Sequence, residues 1–274
     1  MLTLLPKLFR PRLALLNGVT AAGGYCLFPA TIHAGTLLAA FCGVALLAMG
    51  GSALNQLLER DIDALMIRTR LRPLPQGRLS AADVVLAGSC VILAGLALLG
   101  VTAGLLPALL GGVALIWYLA VYTPLKRKTP MALLLGALCG AFSPLIGWTL
   151  AGGSPTDFRI IILAGLFFIW QIPHFWLLQE RHEADYLRAG IPLFRIESMP
   201  LNQNLLFLIW LIAFVAATML LPAFGLIGRS AAPWYAAFPV LLIFLALMHS
   251  RRFLFTYLNL FPLLVTLTLF CARF

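Results

Sequence analysis

Residues 55–79 read NQLLERDIDALMIRTRLRPLPQGRL and follow directly on a long apolar run. Together with Asp83, the stretch holds four of the nine acidic residues of the chain and five of its arginines. Charged side chains this close to a membrane-type segment are costly to place, and they usually mark a functional site. The stretch therefore predicts a candidate functional site directly after this apolar run.

The composition of the chain indicates an integral membrane protein. Its 274 residues are 62% hydrophobic and only 10% charged, with a mean hydropathy of +1.00. The apolar runs show no alternation of polar and apolar residues, which excludes a transmembrane barrel and favours helices. The net charge of +10 does not indicate nucleic-acid binding, because the lysines and arginines lie in short loops between apolar runs.

The apolar runs predict an all-α integral membrane protein with a single domain spanning residues 1–274. Nine transmembrane helices around a central cavity are expected at residues 13–32, 36–57, 84–103, 106–122, 131–151, 160–179, 204–225, 234–249 and 253–271. This arrangement puts 16 cationic residues on the side of the N-terminus and three on the other. By the positive-inside rule the N-terminus is cytoplasmic and the C-terminus lies on the opposite side. The basic start is too short and too poor in serine for a transit peptide, which favours a bacterial inner membrane.

The acidic residues show the same asymmetry. Eight of the nine fall on the predicted cytoplasmic face, in one group after the second predicted helix and one after the sixth. Acidic residues have little influence on topology, so their grouping requires another cause. Two acidic clusters rimmed by arginine and lysine predict a site on this face for divalent cations and an anionic substrate.

Asn55, Glu59 and Asp63 follow one another at intervals of four residues. This spacing places all three on one face of a helix, whereas Asp61 lies roughly opposite Glu59. Oxygen-bearing side chains on one stripe suit Mg²⁺, a hard cation that proteins bind with one or two carboxylates plus substrate phosphates. The alternative is a solvated helix end whose acids pair with neighbouring arginines.

Two cationic segments are candidates for binding phosphate oxygens. Arg68 and Arg72 are spaced four residues apart after the acidic stripe, and Lys126 and Arg127 lie in the block YTPLKRKTP after the fourth predicted helix. Guanidinium groups bind phosphate oxygens with two parallel hydrogen bonds. The same charges are also expected from topology alone, so both interpretations stay open at this stage.

The sixth predicted helix runs into the second acidic group in the sequence WQIPHFWLLQERHEADYLRAGIPL. His174 lies between Pro173 and aromatic residues, a setting that suits either a hydrogen-bonded structural histidine or contact with a planar ligand. Asp185 faces the first acidic group if the second and sixth helices are neighbours.

These blocks together resemble the UbiA-type membrane prenyltransferases. The resemblance runs over most of the first 200 residues and rests on NxxxERDIDALMxRTxxRPLPxG, YTPLKRKTP, GAFSPLIGW, PHFW and DYxRAGIPL. The YTPLKRKTP, GAFSPLIGW and PHFW blocks are similar to the branch of the superfamily that acts on haem rather than on quinone rings. Glu59 departs from the family motif, which has Asp at that position.

The resemblance implies transfer of a farnesyl group from farnesyl diphosphate to a vinyl group of haem b, giving haem O. It implies Mg²⁺ bound by Asn55, Glu59, Asp63 and Asp185. It also implies diphosphate binding by Arg68, Arg72, Lys126 and Arg127, with Asp63, Asp185, Arg68 and Lys126 as the catalytic set. His174 is the candidate for contact with haem. The implied partners are both substrates, the lipid bilayer and a downstream haem-modifying enzyme or terminal oxidase assembly, with no nucleic acid.

Two other functions fit the same sequence. One is the same chemistry on an aromatic acceptor, such as a quinone-precursor ring. The other is a non-catalytic membrane protein that binds haem or lipid, with Glu59 as a sign of lost catalysis.

Overall fold

The computed structural model describes residues 4–193, 200–229, 231–248 and 251–273. Arg195 and Glu197, which were counted in the predicted topology, lie outside the described residues, as does position 249 at the end of the eighth predicted span. Throughout the described ranges the regular structure is helical. The predicted all-α class is therefore confirmed.

Nine long helical stretches account for most of the described residues. They are α2 (Pro11–Leu27), α3 (Ala34–Leu58), α5 (Ala81–Ala103), α6 (Leu105–Ile116) with its extension, α8 (Ala132–Leu150), α9 (Phe158–Arg181), α11 (Pro200–Ala223), α12 (Ala232–Leu247) and α13 (Arg251–Cys271). The extension of α6 is a π-helical segment, Trp117–Tyr122, followed by α7 (Thr123–Leu125). Three further short helices are α1 (Leu5–Phe9), α4 (Arg60–Leu65) and α10 (Glu183–Arg188).

Seven of the described helices are long and apolar enough to cross a membrane, so the chain is a multi-pass membrane protein. The other two long helices, α2 and α12, have 17 and 16 residues and lie where spans were predicted. The first predicted span is too long by five residues, because α2 ends at Leu27. Phe28 has an extended backbone (φ −67°, ψ 128°), as expected before Pro29, whose ring disfavours a helical residue ahead of it.

The helices pack around two apolar cores on either side of a central cavity. One core joins α2, α3 and α8, with Leu99 of α5 buried among them. The other joins α9, α11, α12 and α13 through large side chains such as Phe167, Phe214 and Phe261. The bundle closes where α13 meets α2, and there the Thr266 hydroxyl donates a hydrogen bond to the Val19 carbonyl at 3.1 Å.

The crossing of α2 and α8 brings two backbones into direct contact. A Cβ atom on Gly24 would lie 1.9 Å from the Pro144 carbonyl oxygen, and one on Gly147 would lie 1.8 Å from the Ala21 carbonyl oxygen. Within a membrane there is no hydrophobic driving force between helices, so they associate mainly by van der Waals contact. Small residues at the crossing allow the backbones to approach closely enough for that contact. Glycine at these two positions therefore sets the distance between α2 and α8.

We expect Gly24→Ala to destabilise the protein by about 1–3 kcal/mol, because the added methyl group overlaps a backbone oxygen that cannot move aside. The matched control is Gly165→Ala in α9, where a Cβ atom meets nothing within 4 Å. Thermal unfolding in detergent should show a lower midpoint for the first variant and an unchanged or higher one for the second. Equal midpoints would contradict the close crossing.

Candidate active site

A cavity of ≈ 720 Å³ lies between the helices, and α2, α3, α8 and α9 all contribute to its wall. Its lining runs along α3 from Val44 to Glu59, directly after the helix, a span of 15 helical steps or about 22 Å. The ionised side chains lie at the end of the cavity where α3 ends, and the wall farther along α3 is mainly apolar. The cavity is therefore suited to a ligand with a charged head and a long apolar tail.

The break between α3 and α4 preserves the predicted stripe. Glu59 leaves the helical conformation (φ −113°, ψ 12°), yet two backbone hydrogen bonds continue across it, from Glu59 to Asn55 at 3.0 Å and from Asp63 to Glu59 at 2.8 Å. All three stripe residues consequently line the cavity, as their spacing predicts. Each is 3–4% exposed, so the alternative of a solvated helix end does not describe them.

Glu59 is held by two neighbours. Its carboxylate forms an ion pair with Lys126 and accepts a hydrogen bond from the Asn55 side-chain amide at 2.9 Å. The Asn55 carbonyl in turn accepts from the Thr123 hydroxyl at 2.8 Å. Thr123 was missed in the sequence, although it lies three residues before Lys126 in the YTPLKRKTP block, close to one helical turn away.

Asp63 pairs with Arg72, with 2.5 Å between the guanidinium Nη1 and the carboxylate Oδ2. The intervening loop folds back so that the Thr69 hydroxyl donates to the Asp63 backbone carbonyl at 3.0 Å. Arg72 and Lys126 thus both contact the carboxylate stripe directly, and Arg68 lines the cavity beside them. Burial lowers the pKa of Lys126, and the Glu59 charge opposes that shift and supports the ammonium form.

Asp185 lies beside this loop and is not among the described residues that line the cavity. Its carboxylate accepts hydrogen bonds from the backbone N–H groups of Ile67 at 2.8 Å and Arg68 at 3.1 Å. Burial raises the pKa of Asp185, but these two donors and the nearby Arg188 outweigh it and hold the pKa below its ordinary value. Asp185 therefore positions the segment that carries Arg68, and its role as a metal ligand stays a prediction.

Arg127 and Asp61 form a separate pair on the outer side of α4. Two parallel hydrogen bonds of 2.7 and 2.8 Å join them, and Arg127 also donates to the Leu58 carbonyl at 2.6 Å. The Arg127 guanidinium lowers the pKa of Asp61, which is exposed. Asp61 thus points away from the stripe as its spacing predicts, while diphosphate binding by Arg127 stays a prediction.

The α9 wall of the cavity is aromatic. The His174 ring is stacked between Trp170, with centroids 5.1 Å apart, and Phe255, at 5.4 Å. Among the described residues, neither His174 Nδ1 nor Gln171 Oε1 has a hydrogen-bond partner, although both atoms are buried. Unsatisfied polar atoms of this kind beside a cavity indicate a polar ligand or water.

The π-helical segment is a second feature that sequence reasoning missed. It places Tyr118 and Tyr122 one above the other, with ring centroids 6.0 Å apart, and both line the cavity. The Lys126 ammonium lies 5.7 Å from the centre of the Tyr122 ring. Short π-helical segments are frequent at functional sites because they redirect side chains within a helix.

The donor atoms at the stripe fit a hard divalent cation. Glu59 and Asp63 present two buried carboxylates one helical turn apart, and the Asn55 side chain lines the cavity one turn before Glu59. Within the described ranges, no three His, Cys, Asp or Glu side chains converge on one point. Two carboxylates do not fill the coordination shell of a metal ion. Proteins commonly bind Mg²⁺ in this way, with substrate phosphates as further ligands.

A membrane-embedded helical bundle whose cavity sets buried carboxylates against cations at one end defines an intramembrane enzyme for an anionic substrate. The chain belongs to the UbiA prenyltransferase family, whose model matches residues 17–259. It is 57% identical over 262 residues to the protoheme IX farnesyltransferase of Geobacter sulfurreducens, with 96% of each chain covered. It is 37% identical to the enzyme of that name from Oleidesulfovibrio alaskensis, over 84% of this chain and 81% of the relative.

Solved structures show the same fold. An apo UbiA homolog from Aeropyrum pernix superposes with a TM-score of 0.76 at 21% identity, covering 97% of this chain and 99% of that one. A UbiA homolog from Archaeoglobus fulgidus bound to GPP and Mg²⁺ superposes with a TM-score of 0.74 at 16% identity, covering 98% and 99%. The bundle is therefore that of the UbiA fold.

We expect Asp185→Asn to loosen the loop that follows α4, since an amide accepts the two backbone hydrogen bonds more weakly than a carboxylate. Limited trypsin digestion should cleave faster after Arg68 and Arg70 than in the wild type, roughly tenfold. Because the pKa of Asp185 is depressed, the wild-type loop should stay protected at neutral pH and lose protection only below the ordinary Asp pKa of about 3.9.

The control for this experiment is Asp157→Asn, which removes a carboxylate paired with Arg159 on a different loop. It should leave cleavage in the loop after α4 unchanged. Equal protection of wild type and Asp185→Asn would show that the carboxylate does not hold this segment.

Proposed function

We propose that the protein transfers a farnesyl group from farnesyl diphosphate to a vinyl group of haem b, giving haem O and diphosphate. The observation that carries this proposal is the 57% identity, over 96% of both chains, to a protoheme IX farnesyltransferase. The cavity supports it, because a charged end built of Glu59, Asp63, Arg72 and Lys126 leads to an apolar wall long enough for a prenyl tail.

The charged end is proposed to bind the diphosphate. Asn55, Glu59 and Asp63, with Asp185 as a further candidate, would hold Mg²⁺. When bound, the ion offsets the negative charge that develops on the leaving diphosphate. Arg72 and Lys126 are within reach of the same atoms, since each already contacts one stripe carboxylate. With Arg68 and Arg127 they complete the neutralisation that lets the carbon–oxygen bond ionise.

The rest of the wall is proposed to protect the allyl cation until the vinyl group captures it. Tyr118, Tyr122 and Trp170 line the cavity, and aromatic rings stabilise nearby cations. Attack by the terminal vinyl carbon forms the new carbon–carbon bond and leaves a cation on the adjacent carbon of the haem. Water adds to that cation and loses a proton, which accounts for the hydroxyl group of haem O.

His174 is the proposed contact for the haem. Its ring already forms part of a stack of three flat groups with Trp170 and Phe255, on the cavity wall. Its buried Nδ1 has no partner among the described residues. An imidazole in this position is suited to contact the porphyrin or its iron.

The proposal includes a topology and a location. The nine spans are those predicted from the apolar runs. The 16-to-three division of cations then favours a cytoplasmic N-terminus, an opposite C-terminus and a charged cavity end on the cytoplasmic side. The location is the bacterial inner membrane, with the whole chain forming one domain. The product would pass to a downstream haem-modifying enzyme or to a terminal oxidase assembly.

We expect membranes containing the protein, supplied with haem b, farnesyl diphosphate and Mg²⁺, to produce haem that has gained one farnesyl group and one hydroxyl group by mass. Asp63→Asn should lower kcat by roughly a hundredfold or more, because a charged group that offsets leaving-group charge is lost. Glu59→Asp, which matches the family motif, should retain activity, whereas Glu59→Gln should lose it.

Asp157→Asn serves as the control and should turn over at the wild-type rate. Unmodified haem together with a prenylated aromatic acid would replace the haem proposal with the quinone-precursor one. An absence of diphosphate release with any acceptor would favour a non-catalytic haem or lipid carrier. Full activity of Asp63→Asn would remove the metal-site proposal.

The topology is tested with single cysteines in a background where the five native cysteines are replaced. Lys128→Cys should react with a membrane-impermeant thiol reagent only from the cytoplasmic side, and Arg229→Cys only from the other side. Labelling of both from one side would contradict the proposed number of spans between them.

A further inference from the structure

Arg10, at the turn between α1 and α2, is in an unusual backbone conformation. Its φ of 48° and ψ of 60° make it the only non-glycine residue with positive φ among those described. An L-residue in this left-handed region costs about 1–2 kcal/mol relative to a right-handed conformation. Such strain persists where the surrounding structure holds it in place, and it is concentrated at functional sites.

The turn is held in place from α3. The Gln56 side-chain amide donates hydrogen bonds to the Leu8 carbonyl at 2.6 Å and the Lys7 carbonyl at 3.2 Å. Gln56 is fully buried, and Leu8 is buried with Ala53 and Val84. The end of α1 is therefore fixed against the helix that carries the carboxylate stripe, and the strained turn places the Arg10 side chain on the cavity wall.

The Arg10 guanidinium has no ion pair or side-chain hydrogen bond with any described residue. Burial lowers its pKa, and the nearby positive charges of Arg72 and Arg68 act in the same direction, against Tyr118 and Asp63. Arginine stays charged nonetheless. A guanidinium that is mostly removed from water, close to two others and without a carboxylate of its own is a costly arrangement that an anionic ligand would relieve.

The charges around the cavity support a second anion besides the diphosphate. Its described lining contains five cationic residues and two carboxylates, an excess of three positive charges. A diphosphate brings about three negative charges, most of which a bound Mg²⁺ offsets. About two positive charges then remain without a counterion. Arg72 and Lys126 contact the stripe itself. Arg10 lies on the side of α3 that carries Gln56, and the Gln56 side chain is about 100° around the helix axis from that of Asn55.

We propose that Arg10 binds a carboxylate of the acceptor, which for haem b is a propionate. This rests on the proposed function, because haem b is the acceptor that the proposed function names. Both oxygens of a propionate can accept parallel hydrogen bonds from one guanidinium, a geometry that a lysine does not reproduce. Arg10 thereby orients the porphyrin, and with it the vinyl group, relative to the bound diphosphate.

The test measures haem binding by absorbance titration of the full-length protein in detergent, without farnesyl diphosphate. Haem b is compared with its dimethyl ester, in which both propionates are blocked. Wild type should bind the ester about tenfold more weakly than haem b, as expected for one charge-assisted pair. Arg10→Gly should bind both ligands equally, at the affinity of wild type for the ester. Arg10→Lys should fall between the two.

Arg10→Gly is suited to this test because glycine adopts the left-handed conformation without strain. Its unfolding midpoint should equal or exceed that of the wild type, which separates lost binding from lost folding. The control is Arg70→Ala, an exposed arginine of the loop after α4 that does not line the cavity. It should keep the wild-type preference for haem b over the ester.

Three results would overturn the inference. Arg10→Gly could keep the wild-type preference for haem b over its ester, or wild type could bind neither ligand. The variant could instead raise KM for farnesyl diphosphate while haem affinity stays unchanged, which would assign Arg10 to the diphosphate. Binding is measured without turnover, so a protein that binds haem through Arg10 and does not farnesylate it would refute the proposed function alone.

Discussion

Two buried ion pairs, Glu59 with Lys126 and Asp63 with Arg72, connect the parts of the charged end. A carboxylate removed from water is stable only when a cation or hydrogen-bond donors replace its hydration. These pairs therefore fix three chain segments relative to one another: the α3–α4 break, the loop after α4 and the end of α7. In the proposed function these pairs would be exchanged: Mg²⁺ would bind the carboxylates and the diphosphate would bind the cations, so that no charge is left uncompensated.

Much of this arrangement was predictable because it depends on local periodicity. The four-residue spacing of Asn55, Glu59 and Asp63 places their side chains on one helix face, and this does not depend on what the helix packs against. The two backbone hydrogen bonds across Glu59 keep that face continuous. The positions of the long helices followed from the apolar runs for the same reason. The one clear error, at residues 28–32, arose because hydropathy does not register how Pro29 restricts the residue before it.

The partners within the site were not predictable, because they are set by contacts between distant segments. Asp185 bonds to backbone groups 117 and 118 residues earlier in the chain, and no spacing rule encodes such a pair. Lys126, in the loop after the fourth predicted helix, pairs with Glu59, although Arg60 is adjacent to Glu59 in sequence. The π-helical segment differs from its α-helical surroundings by the hydrogen-bonding register alone, which leaves no trace in composition.

The closure of the bundle between α2 and α13 has a consequence for biogenesis. Phe255 and Asn259 of α13 line the cavity, and Thr266 joins α13 to Val19 of α2. Synthesis runs from the N-terminus, so α13 leaves the ribosome after every other helix described. Until α13 docks, the cavity is open to lipid on one side. This holds even if the charged end has already assembled. The wall of the cavity is thus completed by the helix that is synthesised last among those described.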